Sequence, residues 1–215
     1  TDSVRLGLGT PLAEPLINGL VMGQDTVFAT VYDGEIFWIW GDTNKPGFPL
    51  GNFHASGATS QLPSAGGLAP DVGVDLTYFV GANGFSKQMA PPATVPGDGV
   101  TWLSGLTVLL DAAGDEVLFA YYGKYLQNFT NTEVGLIRFD PAQEVFVEEV
   151  EFAAGLGRPL GQSFEIPDDA FVHIDGLFRF PATVAGITDR ASYEVWTPLD
   201  PVTGDILLDL EGVPD

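Results

Sequence analysis

Two aspartates near the start of the chain are the residues whose spacing points most directly to chemistry. Asp25 precedes, and Asp42 follows, two apolar runs that are joined at Asp33-Gly34. This dipeptide is typical of a tight hairpin turn, because both residue types tolerate positive φ. A two-residue loop sets a register in which Asp25 faces Asp42. Facing residues of an antiparallel pair have Cβ atoms about 4.5–5.5 Å apart, so the sequence predicts neighbouring carboxylates.

A carboxylate pair of this kind has three interpretations. Glycoside hydrolysis needs one carboxylic acid and one carboxylate, and the register of Asp25 and Asp42 fits the shorter separation, about 5–5.5 Å, of retaining enzymes. Alternatively, the two side chains cap strand ends by accepting backbone N–H groups, as Asx residues commonly do. A third interpretation is a Ca²⁺ site, because this cation prefers oxygen ligands.

The elements that must position these carboxylates are short strands. No stretch shows a helical period with caps, and the 27 glycines and 16 prolines punctuate many short apolar runs, so we predict an all-β fold. A four-stranded meander is predicted across 103–152. The continuously apolar runs 36–40 and 117–122 predict inner strands that are covered on both faces.

Units of about four strands recur at roughly 45–60 residues, a spacing typical of propeller blades. We predict a single β-propeller domain or a fragment of one, with approximate blades 25–100, 101–152 and 158–215. A β-sandwich with decorated loops is the alternative.

The composition restricts the class of partner. The chain has 215 residues, 29 of them acidic and 8 basic, for a formal charge of −21. Such a surface repels nucleic acid and anionic membranes and suits a neutral or cationic ligand, although acidity also serves solubility. No apolar run approaches the roughly 18 residues of a membrane span, so no membrane insertion is expected. The absence of cysteine excludes disulfides and thiolate metal sites.

Several segments together resemble a known superfamily. They are Gly23–Asp25 with Phe37–Thr43, Tyr121–Lys124, Gly135–Phe139, Arg158–Gln162 and Ala191–Glu194. In order and spacing they resemble the five-bladed β-propeller superfamily of glycoside hydrolases, which includes arabinanases, xylosidases and invertase-like enzymes. The similarity is greatest to secreted bacterial propellers that carry an aromatic-Gly-Asp-Thr motif. The resemblance implies about three blades in this chain and an active site at the axial funnel.

The resemblance also assigns roles to residues. Asp25 occupies the position of an early funnel aspartate, Asp42 that of the Gly-Asp-Thr motif, and Glu165 is the best candidate for a third catalytic carboxylate. The remaining candidates would bind substrate through hydroxyl contacts, ring stacking or charge: Asn52, His54, Trp102, Tyr122, Lys124 and Gln162. The alternatives are a surface histidine at position 54, aromatic rings that belong to the core, and a surface ion pair for Lys124.

These observations predict a carbohydrate-active protein that hydrolyses glycosidic bonds of an oligo- or polysaccharide. We expect a monomer without a cofactor, Ca²⁺ being the one ion considered. It would be secreted, periplasmic or on the cell surface, and because the chain opens on Thr1 we expect a longer precursor. The alternatives are a non-catalytic propeller that binds glycan or protein, and a Ca²⁺-stabilised structural exoprotein module.

Overall fold

Strands dominate the parts of the chain that the structure describes. The computed structural model describes residues 2–47, 55–90, 99–111, 113–126 and 128–152, with the short segments 163–166, 170–173 and 194–195. Among these residues the one α-helix is a single turn, Asp2–Arg5 (α1), and two 3₁₀ turns occur at Asn18–Leu20 and Pro63–Ala65. The prediction of an all-β fold is confirmed. The chain divides into two compact units, Thr1–Met89 and Ala90–Asp215.

The first unit contains a four-stranded antiparallel sheet and a two-stranded ribbon. Their strands are β1 (Gly23–Gln24), β2 (Val27–Tyr32), β3 (Glu35–Trp40), β4 (Thr43–Asn44), β5 (Ser56–Gln61) and β6 (Thr77–Tyr78). The sheet has the order β2-β3-β5-β6, while β1 pairs with β4. The sheet is therefore an open meander, with the ribbon extending the β2–β3 hairpin at its open end.

The hairpin β2–β3 has the predicted turn and register. Asp33 and Gly34 form its two-residue loop with φ angles of 50° and 74°, which are the positive values that a type I′ turn requires. Tyr32 faces Glu35 and, at the other end, Val27 faces Trp40. The register prediction for this hairpin is confirmed.

One face of the first sheet carries the core of the unit. Phe37 and Ile39 of β3 are each 1% exposed, whereas Trp38 and Trp40, on the opposite face, are half-buried. The expectation that the run 36–40 is buried continuously is wrong, because its second face is only partly covered. Burial in β3 instead alternates with the period of two that side chains follow along a strand.

The second unit contains the predicted four-stranded meander. Its strands are β7 (Gly99–Leu110), β8 (Glu116–Leu126), β9 (Asn131–Asp140) and β10 (Val145–Glu151), and they lie side by side in chain order. Aspartates fix two of the turns: Asp111 Oδ1 accepts the N–H groups of Ala113 and Asp115, and Asp140 Oδ1 accepts that of Ala142. The meander predicted across 103–152 is confirmed.

The second sheet is buried on both faces along its inner strand β8. Every residue from Leu118 to Lys124 is buried. One face packs into an apolar cluster that includes Phe119, Tyr121 and Leu136. The other face holds Tyr122, which lies over Gly135 of β9: a Cβ atom at that glycine would stand 2.7 Å from the ring. The predicted burial of the run 117–122 on both faces is confirmed for Leu118 onward.

A third, three-stranded antiparallel sheet also belongs to the second unit. It consists of β11 (Ser163–Ile166), β12 (Ala170–His173) and β13 (Glu194–Val195), in that order. Most of the third predicted blade, 158–215, lies outside the described residues. In the part of the chain that is described, no helix is long and apolar enough to cross a membrane.

Candidate functional site

Asp25 and Asp42 lie opposite each other just beyond the ends of the hairpin strands. The N–H of Asp25 donates to the carbonyl oxygen of Asp42 at 3.1 Å, and the N–H of Asp42 donates to Asp25 Oδ1 at 2.8 Å. The ribbon β1–β4 continues the same register, with Gln24 facing Thr43. Asp25 is exposed and Asp42 is partly exposed. The structure therefore brings the predicted pair together, and one Asp25 oxygen caps a backbone amide.

Gly41 makes room for the Asp25 carboxylate. A Cβ atom at position 41 would stand 2.7 Å from Asp25 Oδ1. The N–H of Gly41 is shared between the carbonyl oxygens of Asp25 and Thr26, at 3.0 and 3.1 Å. Thr26 itself has a φ of 41°, in the left-handed region that a β-branched residue rarely adopts. The glycine of the Trp-Gly-Asp-Thr motif thus leaves room for the Asp25 carboxylate next to the strained backbone at Thr26.

A chain of hydrogen bonds supports this end of the hairpin. Tyr78 donates to Gln24 Oε1 at 2.8 Å, and Gln24 Nε2 donates to Ser56 Oγ at 2.7 Å. The Thr43 hydroxyl lies 2.7 Å from Ser56 Oγ and donates to the carbonyl oxygen of Gly41 at 3.1 Å, so Ser56 is the donor to Thr43. Ser56 and Thr43 are 0% exposed. Because every member is satisfied, the network fixes the backbone that carries Asp42.

Burial affects the first member of this network. It raises the pKa of Tyr78 above the ordinary tyrosine value, and the hydrogen bond with Gln24 opposes the shift without cancelling it. Tyr78 therefore stays protonated at neutral pH and acts as the donor that starts the chain.

The described residues supply no third acidic side chain or histidine for a metal site at Asp25 and Asp42. Within the described ranges, no group of three or more His, Asp or Glu residues is placed to hold a metal ion. Ca²⁺ needs six to eight oxygen ligands, far more than two carboxylates provide. The Ca²⁺ interpretation of the pair stays a prediction.

A second polar cluster lies within the second sheet, around Lys124. Lys124 is 6% exposed, and its Nζ is 2.7 Å from Glu133 Oε1 and 2.5 Å from Glu148 Oε1. Tyr122 is 0% exposed and donates to the same Glu133 oxygen at 2.5 Å. The Lys124 ammonium also stands 5.3 Å from the centre of the Tyr122 ring. The cation is thus held by groups of its own sheet, Glu133 on β9 and Glu148 on β10.

The protonation of this cluster is set by burial and by its glutamates. Burial raises the pKa of Tyr122 far above its ordinary value, and the hydrogen bond and charge of Glu133 raise it further. Burial alone would lower the pKa of Lys124, but its bonds to Glu133 and Glu148 outweigh that effect and the pKa is raised. Lys124 is therefore charged and Tyr122 neutral at neutral pH.

Trp102 belongs to a small aromatic cluster of the second sheet. Its ring centre lies 5.0 Å from that of Tyr125 and 6.1 Å from that of Phe129, with the Phe129 ring nearly parallel at 17°. Trp102 faces Gly123 in the register of β7 and β8, which places it on the sheet face opposite Lys124. Phe129 is 72% exposed, so this cluster reaches the surface.

The structure describes little or nothing of the other predicted site residues. Asn52, His54 and Gln162 lie outside the described residues, and Glu165 lies in β11 of the second unit, its backbone paired with Phe171. The structure thus brings together Asp25 with Asp42, and Tyr122 with Lys124. The catalytic and substrate-binding roles assigned to all of these residues stay predictions.

Sequence reasoning missed the two glutamates that hold Lys124. The nearest turn is the one between β8 and β9, where Asn128 Oδ1 accepts the N–H of Thr130 at 3.0 Å. Counted outward from the facing pair Tyr125 and Asn131, the register would put Thr132 opposite Lys124. A register shift between Lys124 and Tyr125 puts Glu133 there instead, so the turn alone does not predict this contact.

The described part of the chain therefore offers two polar clusters of different character. One, at Asp25 and Asp42, is exposed; the other, at Lys124, is buried and internally paired. Comparison of the chain with protein-family models, with curated proteins and with solved structures finds no match in any of the three.

Proposed function

We propose that this chain is a carbohydrate-active protein that hydrolyses glycosidic bonds, with Asp25 and Asp42 as its principal carboxylates. The observation that carries the proposal is the pair of hydrogen bonds that join the two residues, Asp25 N–H to the Asp42 carbonyl oxygen and Asp42 N–H to Asp25 Oδ1. These bonds hold two carboxyl groups at the same accessible end of a rigid hairpin. Glycoside hydrolysis requires two such groups on either side of the scissile bond.

The arrangement suggests how the work is divided between the two. Asp25 has one oxygen fixed by an amide N–H, so its carboxylate is oriented, as a nucleophile or general base must be. Asp42 is then the general acid that protonates the leaving-group oxygen. Glu165, carried by β11 of the second unit, stays the proposed third catalytic carboxylate on the strength of the sequence resemblance alone.

A five-bladed β-propeller is the architecture that we propose for the full fold. The two four-stranded antiparallel meanders have the strand number and connectivity of blades. The inner strand β8 is buried on both faces from Leu118 to Lys124, as expected where neighbouring blades cover a sheet. The acidic composition suits a neutral saccharide better than an anionic one, and we propose export to the cell surface or beyond.

The substitution Asp25→Asn tests the proposal. Asparagine keeps an oxygen that can accept the Asp42 N–H but removes the charge. On a panel of arabinan, xylan and fructan, we expect release of reducing ends to fall by roughly 100-fold to 10,000-fold, the usual contribution of a positioned acid or base. The matched control is Asp33→Asn in the turn at the far end of the hairpin, where asparagine suits the backbone equally.

Two results would contradict this assignment. Asp25→Asn could retain the activity of the unmodified chain, or Asp33→Asn could lose as much activity as Asp25→Asn. Urea unfolding of both variants, measured on the same preparations, separates loss of chemistry from loss of folded protein.

Non-catalytic glycan binding is the second candidate function. It is favoured because, among the described residues, no further Asp, Glu or His joins Asp25 and Asp42 in a group of three. Titration calorimetry with the same glycans distinguishes the two functions. Binding without release of product supports this second candidate, and turnover excludes it.

A further inference from the structure

The first unit contains a cleft of about 590 Å³ at the turn end of the β2–β3 hairpin. The strand side is formed by β3 and β5, through residues that include Glu35, Trp38 and Gln61. The other side is formed by the segment 63–77 together with Pro11. Glu35 adjoins the turn, whereas Asp25 and Asp42 lie beyond the opposite end of the strands, so this cleft is separate from the carboxylate pair.

Glycines shape the segment that closes the cleft. Gly66 and Gly73 have φ angles of 107° and 146°, which disfavour any other residue. A Cβ atom at Gly67 would clash with the carbonyl oxygen of Gln61, so the segment lies directly against the end of β5. The cleft therefore depends on a specific backbone path, and its volume falls within the range of small-molecule sites, about 300–1,000 Å³.

Trp38 gives the cleft an oriented aromatic surface. Its Nε1 donates to Ser60 Oγ at 2.9 Å, and its ring is nearly parallel to that of Trp40, at 13° with ring centres 6.1 Å apart. The indole is half-buried rather than enclosed. A ring fixed in this way can receive a ligand without first losing rotamer freedom.

The charges in the cleft have one sign. Glu35 and Asp75 both line it, and the described lining includes no Lys, Arg or His. Asp75 is held in place because its Oδ1 accepts the N–H of Ala13 at 3.0 Å. An anionic ligand would be repelled by two carboxylates, and a neutral ligand could donate hydrogen bonds to them but would gain no attraction between opposite charges. A cation gains from the carboxylates and also from the electron-rich face of the indole.

We infer that this cleft binds a small organic cation, an ammonium group that contacts Trp38 and is attracted by the charges of Glu35 and Asp75. The inference does not depend on the proposed hydrolytic function, because it concerns different residues at the other end of the hairpin. It applies whether or not Asp25 and Asp42 perform catalysis.

Titration with choline tests the inference, with 3,3-dimethylbutan-1-ol as an uncharged ligand of the same shape. The reporter is the indole N–H resonance of Trp38 in ¹H–¹⁵N spectra, identified by its disappearance in Trp38→Phe. We expect choline to shift this resonance saturably and the neutral alcohol to shift it little at the same concentration. An equal response to both ligands would show a merely apolar cleft, and no response to choline would overturn the inference.

Charge-neutralising variants locate the contribution of each carboxylate. Glu35→Gln and Asp75→Asn should each weaken choline binding by roughly 2-fold to 5-fold, as expected for a partly exposed ion pair. The amide oxygen that Asp75→Asn introduces can still accept the Ala13 N–H. The matched control is Asp111→Asn in a turn of the second unit, which removes the same charge and should leave affinity unchanged. If Asp111→Asn weakens choline binding as much as the other two substitutions, the attraction comes from the overall negative charge of the chain, and the assignment of the site to this cleft is wrong.

Discussion

The two four-stranded sheets share a meander topology but accommodate charge in opposite ways. In the first sheet, burial along β3 alternates, and the carboxylates Asp25 and Asp42 lie beyond the strand ends where water reaches them. In the second sheet, β8 is buried without interruption from Leu118 to Lys124. The Lys124 ammonium within that buried run forms ion pairs with Glu133 and Glu148 of the same sheet.

The difference indicates which charges are available for chemistry. A buried cation must be neutralised where it lies, because an unpaired one costs several kcal/mol. Lys124, Glu133 and Glu148 therefore serve to stabilise the second sheet. Asp25 and Asp42 have no such constraint, and one of them is oriented by a backbone amide rather than by a cation. This contrast supports our proposal that the ligand chemistry belongs to the first unit.

The largest expected effect comes from breaking the buried pair. Lys124→Met should lower the free energy of unfolding by about 3–5 kcal/mol, because it leaves Glu133 charged and largely buried without its cation. The control is Arg138→Met, which breaks an ion pair with Glu149 in which the arginine side chain is 50% exposed. That substitution should cost about 0–1 kcal/mol. Urea unfolding of both variants measures the difference, and equal costs would remove the contrast between the sheets.

Glycine substitutions give an intermediate effect that distinguishes the sheets. Gly135→Ala should cost about 1–3 kcal/mol, because its Cβ would clash with the carbonyl oxygen of Val150, which is fixed backbone. Gly41→Ala should cost less, because the atom it meets is the end of the Asp25 side chain, which can move. Unfolding and hydrolysis assays together check this. We expect Gly41→Ala to lose hydrolytic activity with little loss of stability. A larger loss of unfolding free energy in Gly41→Ala than in Gly135→Ala would contradict this expectation.

The smallest effect is expected in alkaline solution. The pKa of Tyr122 is raised in the folded chain, so the unfolded chain ionises first and stability falls as pH rises beyond about 10. The pKa of Tyr78 is also raised by burial, but the hydrogen bond with Gln24 opposes this shift, so Tyr78 should contribute less to the loss of stability. Tyr122→Phe should therefore flatten the loss of stability between about pH 8 and about pH 11 more than Tyr78→Phe does. Urea midpoints across this range provide the test, and equal flattening would contradict the stated causes.

Local turn chemistry made part of this structure predictable. The Asp33-Gly34 dipeptide fixes a two-residue turn, and from that turn alone the contact between Asp25 and Asp42 follows. The second meander was predictable for a similar reason, since aspartates mark two of its three turns, Asp111 between β7 and β8 and Asp140 between β9 and β10.

Contacts that depend on several strands at once were not predictable in this way. The ion pairs of Lys124 span three strands, and the register of β9 with β10 shifts between Glu148 and Val150, so counting from a single turn does not reach them all. Whether a second face is covered is a tertiary property. The apolar runs of β3 and β8 are similar in sequence, and their pattern therefore does not predict that only β8 is buried on both faces.

A double-mutant cycle tests the proposal that Asp25 and Asp42 act as one catalytic unit. The values of kcat/KM are measured for the unmodified chain, Asp25→Asn, Asp42→Asn and the double variant on the best glycan of the panel. If the pair acts together, each single substitution loses roughly 100-fold or more and the double variant loses no more than the worse single one. Singles that retain activity, or losses that multiply in the double variant, would contradict the claim.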